Sequence, residues 1–239
     1  MTRLLFLEDS YMKEAPAVVS SRTDEGGIVL NQSLFYATSG GQPGDSGFLL
    51  WSGGKTKIET TFKGENGALI CMPGENEVCP DVGADVVQVL DWYRRYRHMR
   101  MHTALHLLSV VVPLPVTGGA ITAKKSRLDF DMPEAPDDKE VISNNLNTVI
   151  SHGLSISETW ITEEELDASP SLVKTLSVKP PKGAGMVRLV RIGQAENQID
   201  LQPCGGTHVL NTSEIGRVRI SKIEKKGRQN RRLHLILEQ

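Results

Sequence analysis

"DWYRRYRHMRMHTALHLLSVVV" occupies residues 91–112, and the chain changes character there. The stretch holds neither Gly nor Pro, opens on Asp91, whose short acidic side chain suits an N-cap, and runs on until Pro113. This pattern predicts one long helix over roughly 92–111. Before it, "APAVVSSR", "GGIVLNQSLFY", "GFLLW", "KIETTF", "GALICM" and "DVVQVLD" are short strand-like runs. "DEGG", "SGGQPGDSG", "SGGK" and "GENG" separate them with turn chemistry, which points to a small barrel or sandwich.

After the helix the pattern is mixed. "APDDKEVISNNLNTVISHG" predicts a second helix with Val141, Ile142, Leu146, Val149 and Ile150 on one face and Gly153 just past its end. Thr162 and Glu165 form a capping box for a third, short one. "SRLDFDM", "SISETWI", "MVRLVRI", "QIDLQP", "RVRISKIEK" and "RRLHLIL" read as strands. The expected fold class is α+β, with a small β-barrel domain over residues 1–90 and a mixed α+β domain over residues 91–239.

Bulk properties narrow the class. The 239 residues are 39% hydrophobic and 23% charged, as in an ordinary globular protein. No apolar run approaches the roughly 20 residues of a membrane span. The first residues do not resemble a signal peptide, so a cytoplasmic location is expected and no membrane partner. Three cysteines, Cys71, Cys79 and Cys204, make no disulfide framework and fit a reducing compartment. Net charge is −2, yet "RVRISKIEKKGRQNRR" (217–232) holds only one acid, Glu224, among its Lys and Arg residues. Such a strip suits a phosphate backbone, or equally a protected sheet edge.

The long helix carries His98, His102 and His106. Side chains four apart stack one turn above each other, so adjacent pairs can grip one ion, while all three drift too far round the axis. His98 lies in the basic run "RRYRHMR" and His106 among leucines, which favours His102 with His106. "PCGGTHV" (203–209) adds Cys204 and His208 at the same spacing. Cysteine and imidazole together suit Zn²⁺. A zinc peptidase would need HExxH, and the residues between the two histidines here are Thr103, Ala104 and Leu105.

"HTALHLL" followed by "CGGTHV" resembles the editing domain of alanyl-tRNA synthetase and the free-standing AlaX editing proteins. "FYATSGGQPGDSG" (35–47) resembles that family's glycine-rich loop, "VTGGAITAKKSRLDFDM" (116–132) its pocket segment, and "SEIGRVRISKIEKKGRQNRR" its C-terminal part. With barrel and editing domain but no aminoacylation domain, the chain is similar to the medium-length type. The threonyl-tRNA synthetase editing domain shares the ligand spacings, but "CGGTH" looks more like the alanyl version. Val116 and Thr117 stand where the synthetases often have Gln-Lys, so no catalytic role carries over to that segment.

The resemblance implies zinc-dependent hydrolysis of the ester on tRNA(Ala) mischarged with serine or glycine. A synthetase pocket rejects an added hydroxyl by only about 10², whereas a site built to hold that hydroxyl rejects the analogue lacking it by about 10⁴–10⁵. It further implies one zinc ion on His102, His106, Cys204 and His208, with Thr103 near the serine hydroxyl and Gly40, Gly41 and Gln42 near the substrate. Arg127 reads as a pocket wall or an ordinary strand residue. Lys225, Lys226, Arg228, Arg231 and Arg232 read as acceptor-stem contacts. Four protein ligands normally close a zinc site, so a tRNA-binding module with a structural zinc is the alternative. A small-ester hydrolase unrelated to tRNA is a third reading.

Overall fold

The computed structural model describes residues 1–134, 136, 138–175, 185–194 and 196–238, which divide into two compact units, Met1–Tyr96 and Arg97–Gln239. In the first, six strands close a barrel in the order Glu14–Arg22, Ile28–Leu30, Leu69–Pro73, Gly54–Lys63, Gly47–Trp51, Asp85–Leu90. Alternation fills it: Ala15, Ala17 and Val19 of the first strand point inward with Ile28, Leu30, Leu49, Ile58, Cys71 and Val86. Gly47 is required by contact rather than by a turn, since a Cβ there would lie 2.2 Å from the Val89 carbonyl oxygen across the strand pair. Beside the barrel core, Arg95 is fully buried and its guanidinium donates to Asp45 Oδ2, Leu34 O and Ser10 O.

The helix predicted from residue 92 runs over Trp92–Val111, and the division between the units falls within it. Asp91 Oδ1 accepts from the Arg94 amide, as an N-cap residue does.

In the second unit a four-stranded antiparallel sheet has the order Val218–Lys225, Asn230–Leu237, Lys125–Asp131, Val116–Ala120. A three-stranded sheet has the order Ile156–Thr162, Met186–Ile192, Asp200–Pro203. The helix Lys139–Ser151 is capped by the Asp138 side chain and followed by Gly153 at φ 61°. Its buried face is Ile142, Ser143, Leu146 and Ile150, whereas the expected Val141 is 53% exposed. Ser143 takes that inner position because its hydroxyl accepts from the Ile220 amide, a bond no valine supplies. The Thr162/Glu165 capping box opens the short helix Glu163–Asp167. No helix among the described residues is long and apolar enough to cross a membrane.

Candidate metal centre

Two elements of the second unit supply the centre. His102 and His106 stand one turn apart on the long helix, and the strand Asp200–Pro203 ends immediately before Cys204. The potential ligand atoms of His102, His106, Cys204 and His208 all lie within 4.8 Å of one another. Cys204 Sγ is 3.4 Å from His102 Nε2 and 3.2 Å from His208 Nε2. The three histidines are buried. His98, though buried on the same helix, is not in the cluster.

The rings of His208 and His106 are each aimed by a partner on the far side. Thr103 is buried, and its hydroxyl donates to Met99 O at 3.0 Å. The same oxygen accepts from His208 Nδ1 at 3.0 Å and from the Val209 amide at 3.3 Å. With the hydroxyl hydrogen committed to Met99, the imidazole proton sits on Nδ1 and leaves the Nε2 lone pair towards the cluster. One donor and two acceptor positions make up a hydroxyl's capacity, and through one of them Thr103 holds the ring of His208. His106 Nδ1 bonds Asp200 Oδ2 at 3.0 Å, and Asp200 also accepts from Gln202 Nε2 and Lys174 Nζ.

The electrostatics follow. Burial opposes the Cys204 thiolate, yet the electrostatic influence of the adjoining His102 and His208 rings and hydrogen bonds from His102 and His106 hold its pKa well below the usual thiol value. Burial disfavours the charged form of His208, and the positive charge of His102 adds to it, lowering its pKa to about 3. Burial likewise opposes charge on His106, but its bonds to Asp200 and Cys204 outweigh it and raise the value to about 9.

This donor set fits a zinc ion. Zinc–sulfur and zinc–nitrogen bonds in a tetrahedron place neighbouring ligand atoms roughly 3.3–3.8 Å apart, close to the sulfur–nitrogen distances seen here. The thiolate of Cys204 and the neutral His208 ring are metal-binding forms, and a metal would displace the proton that the metal-free cluster keeps on His106.

The other expected site residues are not among the four clustered side chains. In the first unit, Gly40 and Gly41 adopt φ 55° and 82° in a turn closed by reciprocal bonds between Ser39 and Gln42, and Gln42 is fully buried. The basic strip divides. Arg231 is buried, its guanidinium donating to the carbonyls of Pro133, Gly227 and Asn230. Arg232 makes a two-pronged pair with Asp129, which also takes Arg127 at 2.7 Å. Lys225, Lys226 and Arg228 are exposed at the turn between the last two strands, Lys226 lying 3.3 Å from Glu224.

Sequence reasoning missed Asp200, Lys174 and Arg188. The available signal was a lone acid in "QIDLQP", four residues before Cys204, and an arginine inside the apolar run "MVRLVRI".

Comparison with known proteins gives this geometry its family. Residues 187–234 match the profile of the threonyl and alanyl tRNA synthetase second additional domain, and residues 7–94 match that of the class II (A) tRNA synthetases. The chain is 34% identical to the alanyl-tRNA editing protein AlaX-M of Methanosarcina acetivorans, over 99% of both chains. It is 32% identical to the AlaX-M of Saccharolobus solfataricus over the whole of both. It is 35% identical to the alanine–tRNA ligase of Pyrobaculum arsenaticum over 94% of its own length and 25% of the ligase. Full-length likeness at this identity, with both halves matched, shows that the chain belongs to the family of AlaX-M alanyl-tRNA editing proteins.

Proposed function

We propose that the protein is an aminoacyl-tRNA deacylase that hydrolyses the ester of tRNA(Ala) mischarged with serine or glycine, using one zinc ion on His102, His106, Cys204 and His208. The convergence of these four side chains, in a chain whose relatives are named alanyl-tRNA editing proteins, is the observation that carries the reading. Zinc held there supplies a positive charge that can polarise an ester carbonyl or acidify a water.

The chain's own groups do the rest. Asp200 fixes the ring of His106, and Thr103 fixes that of His208. Buried walls around the histidines limit competing water and strengthen charge interactions. The resemblance of the glycine-rich loop assigns Gly40, Gly41 and Gln42 to the substrate. Lys225, Lys226 and Arg228, exposed at one turn, are the cations offered to an RNA backbone, with Arg127, Arg231 and Arg232 supporting the sheet beneath.

The test is release of labelled serine from Ser-tRNA(Ala) by the wild type and by Cys204→Ala, with Ala-tRNA(Ala) as the spared control. Rapid serine release that the variant lacks is the expected result. Binding of the tRNA without release would overturn hydrolysis in favour of a tRNA-binding module whose four protein ligands close a structural zinc site.

A further inference from the structure

The strand Met186–Ile192 is apolar and buried at Val187, Leu189, Val190 and Ile192, yet its third residue is an arginine. Only 4% of the Arg188 side chain is exposed. Placing a guanidinium there is costly unless every edge of it is matched. One edge meets Glu158: Nε donates to Oε2 at 2.8 Å, and Nη2 pairs with Oε1. The opposite edge meets the ligand loop, where Nη1 donates to Cys204 O at 2.7 Å and to Gly206 O at 2.9 Å. The backbone adds a further tie, the Cys204 amide donating to Arg188 O at 3.1 Å.

Residue 204 is thus held at its amide and at its carbonyl by the same arginine. With both ends of the residue fixed, its Cα–Cβ bond has one direction, and Sγ faces His102 and His208. The Gly206 amide, itself held through its carbonyl, donates to Sγ at 3.4 Å. Strand packing explains none of this, because an apolar side chain of similar size would fill the same space without the desolvation cost. Lysine cannot reproduce it, since an ammonium lacks the planar fork that spans an acid on one side and two carbonyls on the other.

We propose that Arg188 is a positioning residue for the metal centre: anchored on Glu158, it clamps the loop 204–206 so that the Cys204 thiolate is delivered to the ligand cluster. The inference rests on reading the four side chains as a metal site, and the experiment separates the two. Cobalt(II) is titrated into metal-free wild type, Arg188→Lys, Glu158→Gln and Cys204→Ala. Affinity is taken from competition with a chelator, and thiolate ligation from the sulfur-to-cobalt charge-transfer band. Thermal melting of each metal-free chain is followed in parallel.

Arg188→Lys should bind cobalt roughly 10–100-fold more weakly with a diminished charge-transfer band, while its metal-free melting stays close to the wild type's. Glu158→Gln, which keeps Arg188 but loosens its anchor, should show a smaller change in the same direction. A wild-type affinity and spectrum in Arg188→Lys would overturn the inference alone. So would a loss of affinity that merely tracks a loss of metal-free stability in both variants. A wild type that takes up no cobalt through Cys204 would overturn the metal reading and the inference together.

Discussion

Each unit holds a buried polar centre among its described residues, and the two compared below are built on opposite principles. In Met1–Tyr96, Arg95 and Asp45 are almost wholly buried and pair with each other: the guanidinium donates to Asp45 Oδ2, Leu34 O and Ser10 O, while Asp45 Oδ2 also accepts the Tyr36 amide. Positive and negative charge are balanced within the protein, and the result is a clasp. In Arg97–Gln239, His102, His106, Cys204 and His208 turn lone-pair atoms towards one another while Thr103, Asp200 and Arg188 hold them from behind. Burial alone does not distinguish a clasp from a ligand site. The direction of donors and acceptors does.

The contrast breaks most visibly by substitution. Asp45→Ala strands the Arg95 charge and should lower stability by about 3–5 kcal/mol in denaturant unfolding. The double variant Asp45→Leu with Arg95→Met should recover much of that, because a clasp can be replaced by apolar contact. Cys204→Ala should behave oppositely: no apolar replacement restores function, bound zinc by elemental analysis falls towards none, and serine release drops by more than about 100-fold, beyond the loss of a supporting partner. Next in size, Asp200→Asn should weaken zinc binding roughly 10-fold or more by removing the charged partner of His106, and Thr103→Val should do less, since the His208 partner is neutral.

The mildest test sets two cysteines against each other. Burial pushes the Cys71 thiol up to about 12 from an ordinary 9.0, even though bonds from Thr61 and Ser33 pull it down, whereas Cys204 is held well below the ordinary value. An alkylating reagent at pH 8 should label Cys204 in metal-free protein, be blocked there by zinc, and leave Cys71 untouched until unfolding, as read by mass spectrometry of the peptides. Because the folded value of Cys71 lies above the unfolded one, its contribution to stability is complete below pH 9 and is lost as pH rises towards about 12.

What was legible in the sequence was local. A helix without Gly or Pro declares itself, and histidines four apart on it share a face, so helix geometry offered two pairs and the neighbouring residues favoured His102 with His106. The barrel was legible through its turns. What was hidden depends on register and on distant pairing. Asp129 and Arg232 are 103 residues apart and meet because two strands align Asp129 opposite Arg232; a shift of one residue would have freed the arginine. Arg231 next to it points to the other face and is buried. Asp200 reaches His106 across 94 residues, and nothing near either residue announces the pair.

That distance in sequence has a consequence for how the protein is made. His102 and Cys204 are separated by 102 residues. At a synthesis rate of roughly 5–20 residues per second, the helix histidines wait some 5–20 seconds on the ribosome before the cysteine exists. A four-residue cluster divided in this way cannot assemble on a chain that stops between its halves. Loading of the proposed site would report that synthesis has passed His208, and a chain cut short between the two motifs would hold half of its proposed ligands.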